Sequence, residues 1–158
     1  MKAIRFEIPN RYGKFLSVIF SRFDVSKYIW KIAYSDHCGR NKLMKNPETI
    51  LIPRIFSGKQ FFKYINESNY YTLATQIEAY EAGTGITEIK TYSDFLHSDC
   101  VMTLIVVDVV AYSFYCKNSS YIDIINSIAE EQKYSAIELI NANENDWLPE
   151  FNGKQREI

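Results

Sequence analysis

A chain of 158 residues, 47% hydrophobic and 23% charged, is long enough to bury a core without disulfide or metal staples and has the composition of an ordinary soluble globular protein. The longest apolar run, around "VMTLIVV", falls far short of the roughly 20 residues needed to cross a bilayer. "MKAIRFEIPN" alternates apolar and polar residues, which excludes the apolar stretch of a signal peptide. Three cysteines without an export signal fit reduced thiols. These features predict one cytoplasmic domain over residues 1–158, with a polar C-terminal tail from about residue 141.

In chain order, "KAIRFEI" alternates Ile4, Phe6 and Ile8 against Arg5 and Glu7, the period of a half-buried strand. Pro9-Asn10 ends it. Phe15, Leu16, Ile19, Phe20 and Phe23 recur at helical spacing, with Asn10 as an N-cap candidate. "YIWKIAY" predicts a second strand, and the glycine, asparagine and proline of residues 35–49 predict an irregular, mostly basic loop. "ILIPRIF" reads as a short edge strand interrupted by Pro53. Ser57 then caps a helix over "GKQFFKYIN", with Phe61, Phe62 and Ile65 as its apolar face. "YYTLATQIEAYE" alternates as a strand, "AGTG" offers a hairpin turn, and "ITEIKTY" alternates back. The run "CVMTLIVVDVVAYSFYC" predicts a central strand covered on both faces, a tight turn or bulge at Asp108, and a partner strand. A helix follows from Ser119 or Ser120, with Asp123 completing a Ser-x-x-Asp capping pattern. "SAIELI" is the last strand. In the tail, Trp147, Leu148 and Phe151 are possible anchors. Strands dominate, so the expected fold class is α+β, a mainly antiparallel sheet with a few helices packed on it.

"TYSDFLHSDC" holds the densest reactive groups. Ser93 is a natural N-cap, Asp94 suits the first helical turn, and Asp94, His97 and Cys100 succeed one another at i, i+3 spacing. A thiol, an imidazole and a carboxylate within reach are the parts of a cysteine-based catalyst. Against this, Cys100 opens the most apolar strand of the chain, where a thiol acts as a small hydrophobe with a raised pKa. No glycine-rich turn nearby offers an oxyanion hole. The stretch is therefore read first as a capped turn entering the central strand. His37 and Cys38 could supply two ligands to zinc, but a structural site needs four and no spaced pair completes it. Gly83 and Gly85 lack the register of a phosphate loop, and Glu144 and Asp146 lack that of a calcium loop. No cofactor and no metal are expected.

The net charge of −1 conceals a division. Residues 1–65 hold 13 Lys or Arg and 4 Asp or Glu, and residues 66–158 hold 5 and 15. Such asymmetry points to a charged partner, unless both halves share one surface and their charges intermix there. The 12 tyrosines supply either contact area for an interface or the filling of a β-rich core.

The stretches "IRFEIPNRYGKFLSVIF", "YIWKI", "TYSDFLHSDCVMTLIVVD" and "YCKN" resemble a family of small, single-domain proteins, mainly of Gram-positive bacteria, catalogued only as a domain of unknown function. The resemblance spans Ile4 to about Ile140. It implies a cytoplasmic bacterial protein and no catalytic residue. The leading expectation is a non-enzymatic protein-interaction module, of which immunity proteins and antitoxins are one type, with a protein partner and no membrane. Homo-oligomerisation stays open. The alternatives are a small enzyme built on Cys100, His97 and Asp94, and, more weakly, nucleic-acid binding through the basic N-terminal half.

Overall fold

The computed structural model of the chain describes residues 2–39, 48–50, 54–67, 69–143 and 147; side chains at 34–39, 48–50, 71 and 73 lie outside this description. Strand β1 (Lys2–Glu7) leads to a short helix α1 (Phe15–Ile19), a 3-10 turn (Val25–Lys27) and the long strand β2 (Tyr28–Gly39). Two short strands, β3 (Glu48–Ile50) and β4 (Arg54–Phe56), precede α2 (Gly58–Asn66) and the second long strand, β5 (Tyr70–Glu81). Helix α3 (Tyr92–His97), strands β6 (Cys100–Val107) and β7 (Ala111–Cys116), helix α4 (Ser119–Glu131) and strand β8 (Ser135–Asn141) complete the order. The strands form one sheet in the order β3-β2-β5-β6-β7-β1-β8, with β4 also paired to β2. All pairings are antiparallel. The α+β class expected from the strand-rich sequence is the observed one.

Pleating divides the side chains between two faces. The first carries Ile4, Phe6, Trp30, Ile32, Ile77, Met102, Leu104 and Phe114, and α1, α2 and α4 close over it with Leu16, Ile19, Phe61, Ile65, Ile122 and Ile125. Its centre is aromatic: Phe61 stacks on Trp30 with ring centroids 4.2 Å apart, and Phe20 meets both rings edge-on. The second face carries Ala3, Tyr80, Cys100, Ile105 and Tyr115, covered by Ile89, Tyr92, Phe95 and Trp147. Strand β6 is thus sandwiched, as its apolar run predicts.

Helix ends follow side-chain chemistry. Ser57 caps α2, accepting from the Gln60 amide while the Gln60 side chain accepts from the Ser57 amide, a reciprocal box that satisfies two otherwise orphaned donors. The cap of α4 is Asn118, whose Oδ1 accepts from the Ser120 amide. The Ser-x-x-Asp pattern ending at Asp123 is therefore not the one used, because the helix starts at Ser119, two residues before the Tyr121 start that pattern needs. Helix α1 starts at Phe15 without a side-chain cap. Asn10 plays no such part, since the chain turns at Pro9–Arg11 and Gly13 is then tied to Tyr70 by paired backbone hydrogen bonds before the helix begins.

Three further expectations need correction. Strand β2 runs on through Gly39, so residues 35–39 are paired strand rather than the start of an irregular loop; β5 is long enough to ladder them from Thr75 to Tyr70. Residues 86–91 are not a strand. Strand β5 already has β2 on one edge and β6 on the other, so no edge remains for a hairpin partner. The segment instead crosses the second face as a strap, burying Ile89. Phe62 is 58% exposed rather than part of the apolar face of α2. The expected tight turn at Asp108 is present, with positive φ at Asp108 (51°) and Val109 (73°), between β6 and β7.

Candidate functional site

Helix α3 is capped by Thr91, not Ser93. The Thr91 hydroxyl accepts from the Asp94 amide at 3.0 Å, and Asp94 Oδ2 accepts from the amides of Thr91 (3.0 Å) and Lys90 (2.9 Å). These amides hold the Asp94 carboxyl below its usual range, although it is almost fully solvated. His97 lies exposed on the same helix, its Nδ1 2.8 Å from the Ser93 carbonyl oxygen, which places the proton on Nδ1. Cys100 is completely buried, and its thiol donates to the Met102 carbonyl at 3.1 Å. Burial pushes its pKa far up, and the nearby Glu78 charge adds to the shift. The turn brings the three residues together in sequence but gives each a different partner: backbone amides, a helix carbonyl and a strand carbonyl.

Iodoacetamide treatment of the folded protein should therefore leave Cys100 unmodified, at least about 100-fold slower than in denaturant, since attack needs a thiolate and an opening of the fold. Peptide mass spectrometry reads this directly. Rapid labelling of Cys100 in the folded protein would restore the catalytic reading.

Beneath the strap lies a polar cluster. The alternation in "TQIEAYE" sets Gln76, Glu78 and Tyr80 on one face of β5, and in the sheet register Lys31 stands opposite Glu78 on one side and Thr103 on the other. Glu78 is 0% exposed. Its Oε1 accepts from the Tyr80 hydroxyl at 2.6 Å and faces Lys31 Nζ at 3.6 Å, while Oε2 accepts from Gln76 Nε2 at 3.0 Å. The strap supplies the rest: Lys31 donates to the Thr87 carbonyl (2.8 Å) and Gln76 to the Ile89 carbonyl (3.0 Å). Thus the strap is not a strand because its carbonyls serve buried side chains instead of a ladder. Among the described residues no buried side-chain nitrogen or oxygen lacks a partner.

Burial raises the Glu78 carboxyl above its ordinary 4.5, and the hydrogen bonds from Tyr80 and Gln76 and the Lys31 charge offset only part of this. The folded state then holds this proton more tightly than the unfolded chain. The stability linked to Glu78 is full below pH 4.5 and declines as pH rises through the folded pKa. Glu78→Gln removes that titration. Its unfolding free energy relative to wild type should rise steadily upward from about pH 4.5, as read by denaturant melts across pH. A constant difference would contradict the raised pKa.

Strand alternation in "YYTLATQIEAYE" alone does not reveal this cluster, since it does not say what covers the polar face. The available signal was Lys31, a cation inside the apolar "YIWKIAY", placed to meet an acid on the neighbouring strand. The cluster is a buried and internally satisfied network. His37 and Cys38 run as backbone in β2, opposite Thr72 and Tyr71. Their side chains, like Glu144, Asp146, Leu148 and Phe151, lie outside the described residues. Of the tail anchors, Trp147 is described: it is buried against Tyr92, Phe95 and Tyr115. Asp99 accepts from the Gly85 amide at 3.1 Å and pins the turn that opens the strap.

The segregated charges meet across the fold. Lys31 pairs with Glu78 and Arg22 with Glu131, each joining the basic half to the acidic one. On α2, by contrast, Lys59 and Lys63 flank the exposed Phe62, and neither makes an ion pair among the described residues. Arg54 lies over the Phe56 ring at 4.6 Å, beside Tyr64 on the same helix. This outer surface of α2 and β4 combines an exposed aromatic ring with cations.

An eight-stranded antiparallel sheet, helices on one face and a strap over a buried acid–lysine pair on the other define an α+β protein in which Cys100 and Glu78 are turned inward. The chain belongs to a family described as protein of unknown function (DUF2691), whose model matches residues 1–151. It is similar to the uncharacterised protein YncE of Bacillus subtilis (strain 168), at 27% identity over 145 residues, covering 92% of this chain and 94% of the relative. No solved structure matches the chain. Among the described residues, no helix is long and apolar enough to cross a membrane, and no group of three or more His, Cys, Asp or Glu is placed to hold a metal ion.

Proposed function

We propose that this protein is a non-enzymatic interaction module of the bacterial cytoplasm, and that it engages an acidic partner protein through the outer surface of α2. The observation that carries this reading is Phe62, 58% exposed between Lys59 and Lys63. Large aromatic side chains are the residues from which binding hot spots are built, and a ring left in water beside uncompensated cations is complementary to an acidic, partly apolar surface. The inward placement of Cys100, Glu78 and Tyr80 supports the non-enzymatic part, because each is occupied in holding the fold. Buried, free thiols at Cys100 and Cys116 are compatible with a reducing compartment.

The test is affinity capture of tagged protein from its native cells, with and without nuclease, followed by mass spectrometry. Recovery of a stoichiometric protein that survives nuclease supports the reading. Recovery of nuclease-sensitive material alone would replace it with nucleic-acid binding, and recovery of nothing reproducible would remove its basis.

A further inference from the structure

We infer that a second site, away from α2, binds a small organic acid that carries a hydroxyl or amino group. The ends of four adjacent strands, β2, β5, β6 and β7, converge beneath the first turn of α4 around a cavity of 280 Å3. At about 30 Å3 per water this is room for roughly nine waters, or for an organic acid of similar heavy-atom count. The lining is rich in hydrogen-bond donors. Lys27 and Lys117 both line it, and neither forms an ion pair among the described residues. Lys27 leans over the Tyr28 ring, and Lys117 donates to the Ser98 carbonyl, which leaves it two further N–H groups.

The hydroxyls of Tyr28 and Tyr121 are 2.9 Å apart. One donates to the other, so the second retains a proton with no acceptor inside the pair. Burial and the shared hydrogen bond raise the Tyr28 pKa. Asn118 spends Oδ1 on capping α4, with the Ser120 amide and hydroxyl both donating to it, and its amide N–H groups remain. Against these donors stands one carboxylate, Glu81. Lysines outnumber carboxylates in this lining, which favours a ligand that carries a carboxylate, with net charge −1 where its second group is a hydroxyl and zero where it is an ammonium. A carboxylate satisfies the lysines and the tyrosyl proton, and a hydroxyl or ammonium on the same ligand donates to Glu81, where a bare dianion would be repelled.

The experiment is thermal unfolding of the full chain with glycolate, glycine, acetate or inorganic phosphate, each titrated to saturation or to about 20 mM. Lys27→Met, Glu81→Gln and Tyr121→Phe are run beside wild type, and isothermal calorimetry is run on any probe that shifts the melt. A bound probe at about ten times its Kd should raise Tm by about 4 °C. The inference expects glycolate or glycine to do so saturably. It also expects acetate to bind more weakly, the shift to vanish in Lys27→Met, and the preference over acetate to shrink in Glu81→Gln. A shift from phosphate of equal size in wild type and every variant would mark general anion stabilisation and overturn the site. So would the absence of any saturable shift. These outcomes are independent of what binds α2.

Discussion

Lys31→Met should destabilise the protein by about 3–5 kcal/mol at neutral pH, because it leaves the Glu78 carboxylate buried without its counter-charge. The side chains involved are shielded almost completely, with Lys31 5% and Glu78 0% exposed, so solvent screening relieves little of the cost. The variant also frees the Thr87 carbonyl that Lys31 holds, loosening the strap. Since an unpaired Glu78 is driven further towards its protonated form, the loss should be smaller near pH 5 than at pH 7. The double variant Lys31→Met/Glu78→Leu should recover at least about half of the lost stability, because both charges are then gone and Tyr80 and Gln76 keep the Thr87 and Ile89 carbonyls as acceptors. Urea melts of the four members of this cycle measure the effect. A Lys31→Met change within about 0.5 kcal/mol of wild type would mean that the pair is hydrated in solution.

Phe61→Ala should cost a similar amount, about 3–5 kcal/mol, for a different reason. The ring is fully buried, stacks on Trp30 at 4.2 Å and meets Phe20 and Phe56 edge-on. Deleting it removes the transfer term of a whole aromatic side chain and leaves a cavity walled by rigid rings that close poorly. Phe62→Ala, one residue along the same helix, should stay within about 0.5 kcal/mol, since that ring is largely in water already. The contrast between neighbours separates a fold residue from a surface one. Comparable losses at both positions would indicate that α2 packs differently from the arrangement described.

Period-two alternation made β1, β2 and β5 legible in the sequence, and the apolar run of β6 correctly implied cover on both faces. Alternation failed at residues 86–91, which carry the right pattern but have no free sheet edge; strand character depends on an available neighbour, which a one-dimensional pattern does not contain. It failed in the opposite sense at residues 35–39, whose turn-forming composition is overridden by pairing along the length of β5. Polar residues at alternate positions of β5 do not say what covers them, and the strap turns that face inward and makes Glu78 the most deeply buried acid described. For the turn at residues 91–100, spacing placed Asp94, His97 and Cys100 within reach of one another. What spacing cannot carry is direction: Cys100 begins a strand and points into the second core, while His97 ends a helix and points to water. The exposure of Phe62 was hidden for the same reason, as three apolar residues at helical spacing do not say which of them the sheet covers.

The central claim is that the outer surface of α2 carries the function. Its most direct test is capture from native cells with wild type, with Lys59→Glu/Phe62→Asp/Lys63→Glu, and with Leu96→Asp on α3 as an exposed apolar control, all confirmed as folded by circular dichroism. The account predicts a nuclease-resistant partner that is retained by wild type and by Leu96→Asp and lost, by at least about tenfold, from the α2 variant. A partner that stays with the α2 variant and leaves Leu96→Asp would contradict it, and would move the functional surface to the strap and α3.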